Sequence, residues 1–224
     1  GLLGRNGAGK TTCLKMISGL ARPTAGEIEM FGCKGKELER IRSRVGCLIE
    51  APGLYGNMNA YTNLKIKCEL FGIRKKGYIE DILETVGLEG VGKKKTKHFS
   101  LGMKQRLGIG LALVGEPDLL VLDEPINGLD PQGIAEVRDT IQNLCAQQDM
   151  TVFISSHILE ELSHTASQFI LIEKGKIIEE LSDSELNERC RQHIAIKSAD
   201  PQNTLLILED KLQTDNLQLM PDGT

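Results

Sequence analysis

The stretch GRNGAGKT, Gly4 to Thr11, fits G-x-x-x-x-G-K-[ST] at every fixed position. It works only between a strand and a helix, so it commits the chain to an α/β core. Lys10 to Leu20 supplies the helix, with Leu14, Met16 and Ile17 on its apolar side and Arg22-Pro23 and Gly26 to end it. The glycines let the backbone N–H groups of Asn6, Gly7, Ala8 and Gly9 converge on phosphate oxygens, and the helix points its positive end at them. Lys10 adds a charge for the β and γ phosphates, Thr11 offers its hydroxyl to Mg²⁺, and Thr12 follows in the first turn. By itself the loop specifies a nucleoside triphosphate with magnesium. Kinases, GTPases and transport ATPases all share it.

Downstream, strands and helices alternate. EIEMFG (27–32) reads as a strand, KELERIRS (36–43) as a short charged helix, RVGCLIE (44–50) as a buried strand and APGLYGN (51–57) as a loop. LLVLDEP (119–125) and TVFISSH (151–157) are strands, 133–148 and HILEELSHTA are helices, and 169–180 is a hairpin turning at Lys174-Gly175. Such alternation predicts a mostly parallel sheet covered on both faces. An all-helical stretch interrupts it, and is expected to be an inserted subdomain at about 58–115. The P-loop NTPase core thus runs over 1–182, and 183–224 begins a small α+β accessory domain: helix 183–190, strand 193–200, helix 201–213, strand 216–224. Only Leu2 and Leu3 precede the loop as strand, so N-terminal strands are expected to be missing.

Composition bears on the partners to expect. A net charge of −4 gives no electrostatic reason to expect nucleic acid. Six cysteines without a C-x-x-C pair suggest reduced thiols, not zinc or a disulfide framework. No apolar run reaches the roughly 20 residues that a membrane span needs, so any membrane role runs through a partner.

Asp123 and Glu124 end the apolar strand LLVLDEP, where a parallel sheet presents ligands. Asp123 suits the Mg²⁺ shell, and Glu124 can polarise an attacking water, which favours hydrolysis over transfer to another acceptor. Asp130 in NGLDP precedes a helix as a cap does, and His157 ends TVFISSH at the same end of the sheet as the other site residues. In FSLGMKQR (99–106) a Ser-x-Gly turn with basic residues opens a helix, which reads as a second anion site.

Taken in order, GRNGAGKT, the acidic residue after RVGCLIE, FSLGMKQR, LLVLDEP, NGLDP and His157 resemble the nucleotide-binding domain of an ABC ATPase over residues 1 to about 180. The wording LIEAPGLYGNM, FSLGMKQRLGIGLAL and ISSHILEEL is most similar to exporter ATPases of the bacitracin-resistance and lantibiotic-immunity type, which partner a separate permease. The resemblance implies an ATP-hydrolysing subunit that powers export of an antimicrobial peptide or drug, cytoplasmic and peripheral on the inner face of the membrane. Two copies would sandwich ATP head to tail. Ser100, Gly102 and Asp130 would then act in trans, with Glu124 as general base and His157 on the γ-phosphate in cis.

Three departures from the family pattern matter. The usual L-S-G-G-Q reads Phe99-Ser100-Leu101-Gly102-Met103, keeping the serine and second glycine. Glu50 stands where a glutamine is usual, adding a carboxylate expected beside Mg²⁺ and Glu124, so that Thr11, Asp123 and Glu50 are the expected metal residues and like charge there is expected to shift metal preference. The aromatic residue that stacks on adenine in the family lies upstream of the phosphate loop, and is expected to be missing with the N-terminal strands. The basic run KKKTKH (93–98) reads as a solvated loop, or as a contact with permease or anionic lipid. The other readings are a soluble ABC-type ATPase acting on DNA or ribosomes, which usually carries a long coiled coil or two cassettes, and a P-loop kinase or GTPase, which Asp123-Glu124 and His157 oppose.

Overall fold

The computed structural model describes residues 1–147, 150–190, 198 and 200–212. Its elements are β1 (Leu2–Leu3), α1 (Lys10–Ile17), β2 (Glu29–Met30), β3 (Cys33–Lys34), α2 (Leu38–Ile41), β4 (Val45–Leu48), α3 (Ala60–Leu70), α4 (Tyr78–Thr85), α5 (Leu101–Leu113), β5 (Leu119–Asp123), α6 (Pro131–Gln147), β6 (Thr151–Ser156), α7 (Leu159–Ser163), β7 (Gln168–Glu173), β8 (Lys176–Ser182), α8 (Asp183–Arg189) and α9 (Pro201–Leu212). The chain divides into two compact units, Gly1–Asp183 and Ser184–Thr224.

In the first unit six strands line up as β4-β5-β6-β1-β7-β8. All neighbours are parallel except the final hairpin β7–β8. Leu120, Val121 and Leu122 of β5 are all fully buried. Successive strand residues point to opposite faces, so burial of all three means that both faces are covered. On one face Val121 packs in a core with Leu2, Ala8, Leu14 and Ile172. This core seats α1 on the sheet directly behind the phosphate loop.

Several elements are shorter than their sequence pattern suggests. α1 ends at Ile17 because Gly19 takes a φ of 77°, and the N–H groups of Leu20 and Ala21 both turn back to the Lys15 carbonyl. The 27–32 strand is reduced to β2, which folds back on β3. The β7–β8 turn falls at Lys174-Gly175, whose φ values of 49° and 76° are those of a two-residue hairpin loop.

Helices α3, α4 and α5 pack on one another between β4 and β5 in the sequence. α5 also lies on β4, so closely that a Cβ on Gly46 would stand 2.2 Å from the Ala112 carbonyl oxygen. Backbone cannot yield as a side-chain tip can, so Gly46→Ala is expected to destabilise the chain by about 3 kcal/mol. A chemical-denaturation midpoint equal to the parent's would refute this close approach.

The loop between β4 and α3 is anchored by the buried Asn63. Its Oδ1 accepts from Tyr55 N–H at 2.8 Å, and its Nδ2 donates to the Asn59 carbonyl at 2.9 Å. The basic run 93–98 meets this loop. Thr96, 1% exposed, donates its hydroxyl to Tyr55 O at 3.0 Å, and Lys97 N–H reaches Gly56 O. The lysines around Thr96 remain exposed. In the second unit Asp200 caps α9 by accepting from Asn203 N–H at 3.2 Å. The strands expected at 193–200 and 216–224 fall outside the described residues, apart from Ser198 and Asp200.

Candidate active site

Strand register brings the chemistry together. Leu2 pairs with Ser155 across β1–β6, and Asp123 pairs with Ser155 across β5–β6, so the carboxyl ends of these strands lie side by side. The Gly4 N–H continues the ladder to Ser156 O. A Cβ on Gly4 would stand 2.5 Å from the Ile172 carbonyl oxygen, so only glycine lets the loop leave β1 beside β7. Gly7 and Gly9 take φ values of 79° and 106°, the left-handed region that glycine reaches without strain. The hairpin turn closes over the loop, with Gly175 N–H donating to Ala8 O at 2.8 Å.

Lys10 is 4% exposed. Its ammonium donates to Gly4 O at 2.7 Å and pairs with Glu124 Oε1 at 3.1 Å. The other oxygen of Glu124 lies 3.1 Å from His157 Nδ1 and accepts from Asn127 Nδ2 at 3.1 Å. Glu124 holds a φ of 45°, a costly conformation for a residue with a side chain, and Ser155 Oγ fixes it by accepting its N–H at 3.0 Å. A strained backbone held by specific partners belongs to a site that needs one orientation.

Thr11 Oγ1 donates to Asp123 Oδ2 at 2.7 Å, while Ser155 Oγ donates to Oδ1 at 2.6 Å. Asp123 is 5% exposed. A hydroxyl and a carboxylate this close form a hard oxygen pair of the kind Mg²⁺ takes, since that ion binds one or two protein oxygens and keeps its other positions for water and phosphate. No group of three or more His, Cys, Asp or Glu suited to a metal occurs among the described residues. Thr11 and Asp123 would hold a magnesium whose remaining positions are taken by water and phosphate.

Glu50 is placed differently. At a φ of 63°, it gives its carboxylate to Lys15 of α1 at 2.6 Å. Ser100 is exposed and caps α5, accepting Met103 N–H at 3.2 Å. Asp130 is likewise exposed and caps α6, accepting Gly133 N–H at 3.2 Å. Gly102 is buried against the start of α6, where a Cβ would stand 3.5 Å from Gly133 Cα. Thus Lys10, Thr11, Asp123, Glu124 and His157 are linked in one network through Ser155, whereas Ser100 and Asp130 cap their own helices and Gly102 packs against α6. Sequence reasoning missed Ser155, Asn127 and Gly175. The first gives no signal in the sequence, because Ser155 meets Asp123 only through the β5–β6 register.

The ABC transporter family profile matches residues 1–127. The bacitracin transport ATP-binding protein BcrA of Bacillus licheniformis is 44% identical over the whole chain and 73% of its own length. The lantibiotic transport ATP-binding protein SrtF of Streptococcus pyogenes is 47% identical over 79% of this chain and 76% of its own. Among solved structures, the ATP-binding subunit of an ABC transporter superposes with a TM-score of 0.71 at 29% identity, covering 84% of this chain and 80% of that one. A dimeric post-hydrolysis ATP-binding cassette bound to ADP and Pi shares the fold, with a TM-score of 0.70 at 24% identity over 81% of this chain and 83% of that one. With the phosphate loop, the acid pair and His157 converging as described, the chain belongs to the ABC transporter family and is one of its ATP-hydrolysing subunits.

Proposed function

We propose that the chain works as a head-to-tail pair, hydrolysing ATP to drive export of an antimicrobial peptide or drug through a separate permease at the inner face of the membrane. The single observation that carries the hydrolytic mechanism is the chain Lys10–Glu124–His157 at the carboxyl ends of β1, β5 and β6. When phosphate takes up Lys10, Glu124 Oε1 loses its cationic partner and becomes free to accept a proton from water. His157 stays on Oε2 and turns toward the γ-phosphate. Thr11 and Asp123, joined by Glu50, would hold magnesium, which neutralises charge developing on the phosphates.

Exposure of Ser100 and Asp130 at the starts of α5 and α6 supports their use in trans, since each offers a polar helix start to another molecule. The 44% identity to a bacitracin transport protein and the 47% identity to a lantibiotic transport protein support the substrate class. No helix among the described residues is long and apolar enough to cross a membrane, in keeping with a separate permease. Affinity purification from membranes tests the partnership: a multispan protein is expected to co-purify, and recovery with nucleic acid or ribosomes instead would reverse the assignment.

For Glu50, Glu50→Gln is expected to keep ATP binding but to change the relative support of turnover by Mg²⁺ and Mn²⁺. An unchanged metal profile would leave Glu50 as the Lys15 partner alone.

A further inference from the structure

Arg106 lies on α5, and its side chain ties three helices together. Nη1 donates to the Val86 and Gly87 carbonyls at the end of α4, at 3.0 and 2.6 Å. Nη2 pairs with Glu136 Oε2 of α6 at 3.0 Å, in surroundings that leave the Arg106 side chain only 11% exposed. Glu136 is itself held, because its Oε1 accepts from Gln132 Nε2 at 3.0 Å. Two close contacts run alongside. Gly102 fits against Gly133, and Leu101 lies against Gly128, where a Cβ would stand 3.5 Å from Leu101 Cδ2.

These contacts have a consequence for Ser100 and Asp130, which cap the two helices that Arg106 and Glu136 join. We propose that Arg106 and Glu136 are a positioning pair that holds Ser100 and Asp130 at a fixed spacing, so that FSLGMKQR and NGLDP present themselves to a partner copy as one body. The planar guanidinium suits this role because it serves two carbonyls and a carboxylate at once, which an ammonium on a flexible stem does not do in fixed geometry. Leu101, the departure from the usual signature, belongs to the same unit. The proposal rests on the trans reading given above.

The test uses the full chain carrying Glu124→Gln to hold the ATP-bound dimer. Glu136→Gln is expected to leave thermal unfolding and nucleotide affinity of the monomer near the parent's, yet weaken ATP-driven dimerisation by about tenfold in analytical ultracentrifugation. Arg106→Met is expected to weaken it further, and the double variant no more than Arg106→Met alone, as for residues acting through one contact. With Glu124 restored, the Hill coefficient for ATP is expected to fall toward 1 in Glu136→Gln. If Arg106→Met fails to fold, Glu136→Gln decides alone. A parental dimer affinity in Glu136→Gln overturns the proposal, as do fully additive effects of the two substitutions. Ser100→Arg separates the readings: if it abolishes the dimer while Glu136→Gln does not, only the positioning role falls. A dimer untouched by Ser100→Arg overturns the trans reading and this proposal with it.

Discussion

Glu124→Gln is expected to bind MgATP with near-parental affinity, to lose about a hundredfold to ten-thousandfold in turnover, and to accumulate an ATP-held dimer. Glu124 Oε1 faces Lys10 at 3.1 Å and Oε2 faces His157 at 3.1 Å, so the carboxylate sits between the lysine of the phosphate loop and the histidine at the end of β6. An amide keeps the shape and the hydrogen bond to one neighbour but cannot take a proton from water. Binding should survive, because the phosphate loop and the Thr11–Asp123 pair are untouched. It should even strengthen slightly, since Lys10 is released from a competing carboxylate. Single-turnover hydrolysis and size-exclusion chromatography with ATP measure both arms. Parental turnover, or a monomer with ATP present, would sink the assignment of Glu124 as base.

Much of the fold is legible in the sequence. The phosphate loop announces itself because its glycines and Lys10 are adjacent in sequence, and the local backbone makes the site. The strand-helix alternation likewise gave the parallel sheet, since each strand's burial pattern is a local property. What stayed hidden depends on register and on long-range packing. Ser155 looks like any strand serine until β5 and β6 pair with Asp123 beside it. Gly4 matches a motif, yet its physical necessity comes from Ile172, which is 168 positions away and reaches it only through the β1–β7 pairing. Glu50 stands out only by its place in the order of motifs, and no spacing rule announces its bond to Lys15. Arg106 looked like part of a basic signature run, and its three partners on two other elements appear only once α4, α5 and α6 are packed.

The second large effect concerns Lys10. Lys10→Ala is expected to lower ATP affinity by about tenfold to a hundredfold, the value of one charge-assisted contact with phosphate. The loss should be larger for ATP than for ADP, because an ammonium that reaches the β and γ phosphates loses half its work when the γ group is gone. A second consequence follows from burial. Lys10 is 4% exposed and compensates Glu124, which is 21% exposed. Removing the cation leaves that carboxylate with His157 and Asn127 alone, so the site is weakened before nucleotide arrives. Lys10→Ala with Glu124→Gln separates the two effects: it should recover folding stability toward the parent while ATP affinity stays low. Isothermal titration with ATP and ADP, alongside thermal unfolding of the three variants, reads each arm. ATP affinity within threefold of the parent would mean that the loop's backbone N–H groups hold the phosphates without Lys10, and that its contact with Glu124 serves the fold instead of the substrate.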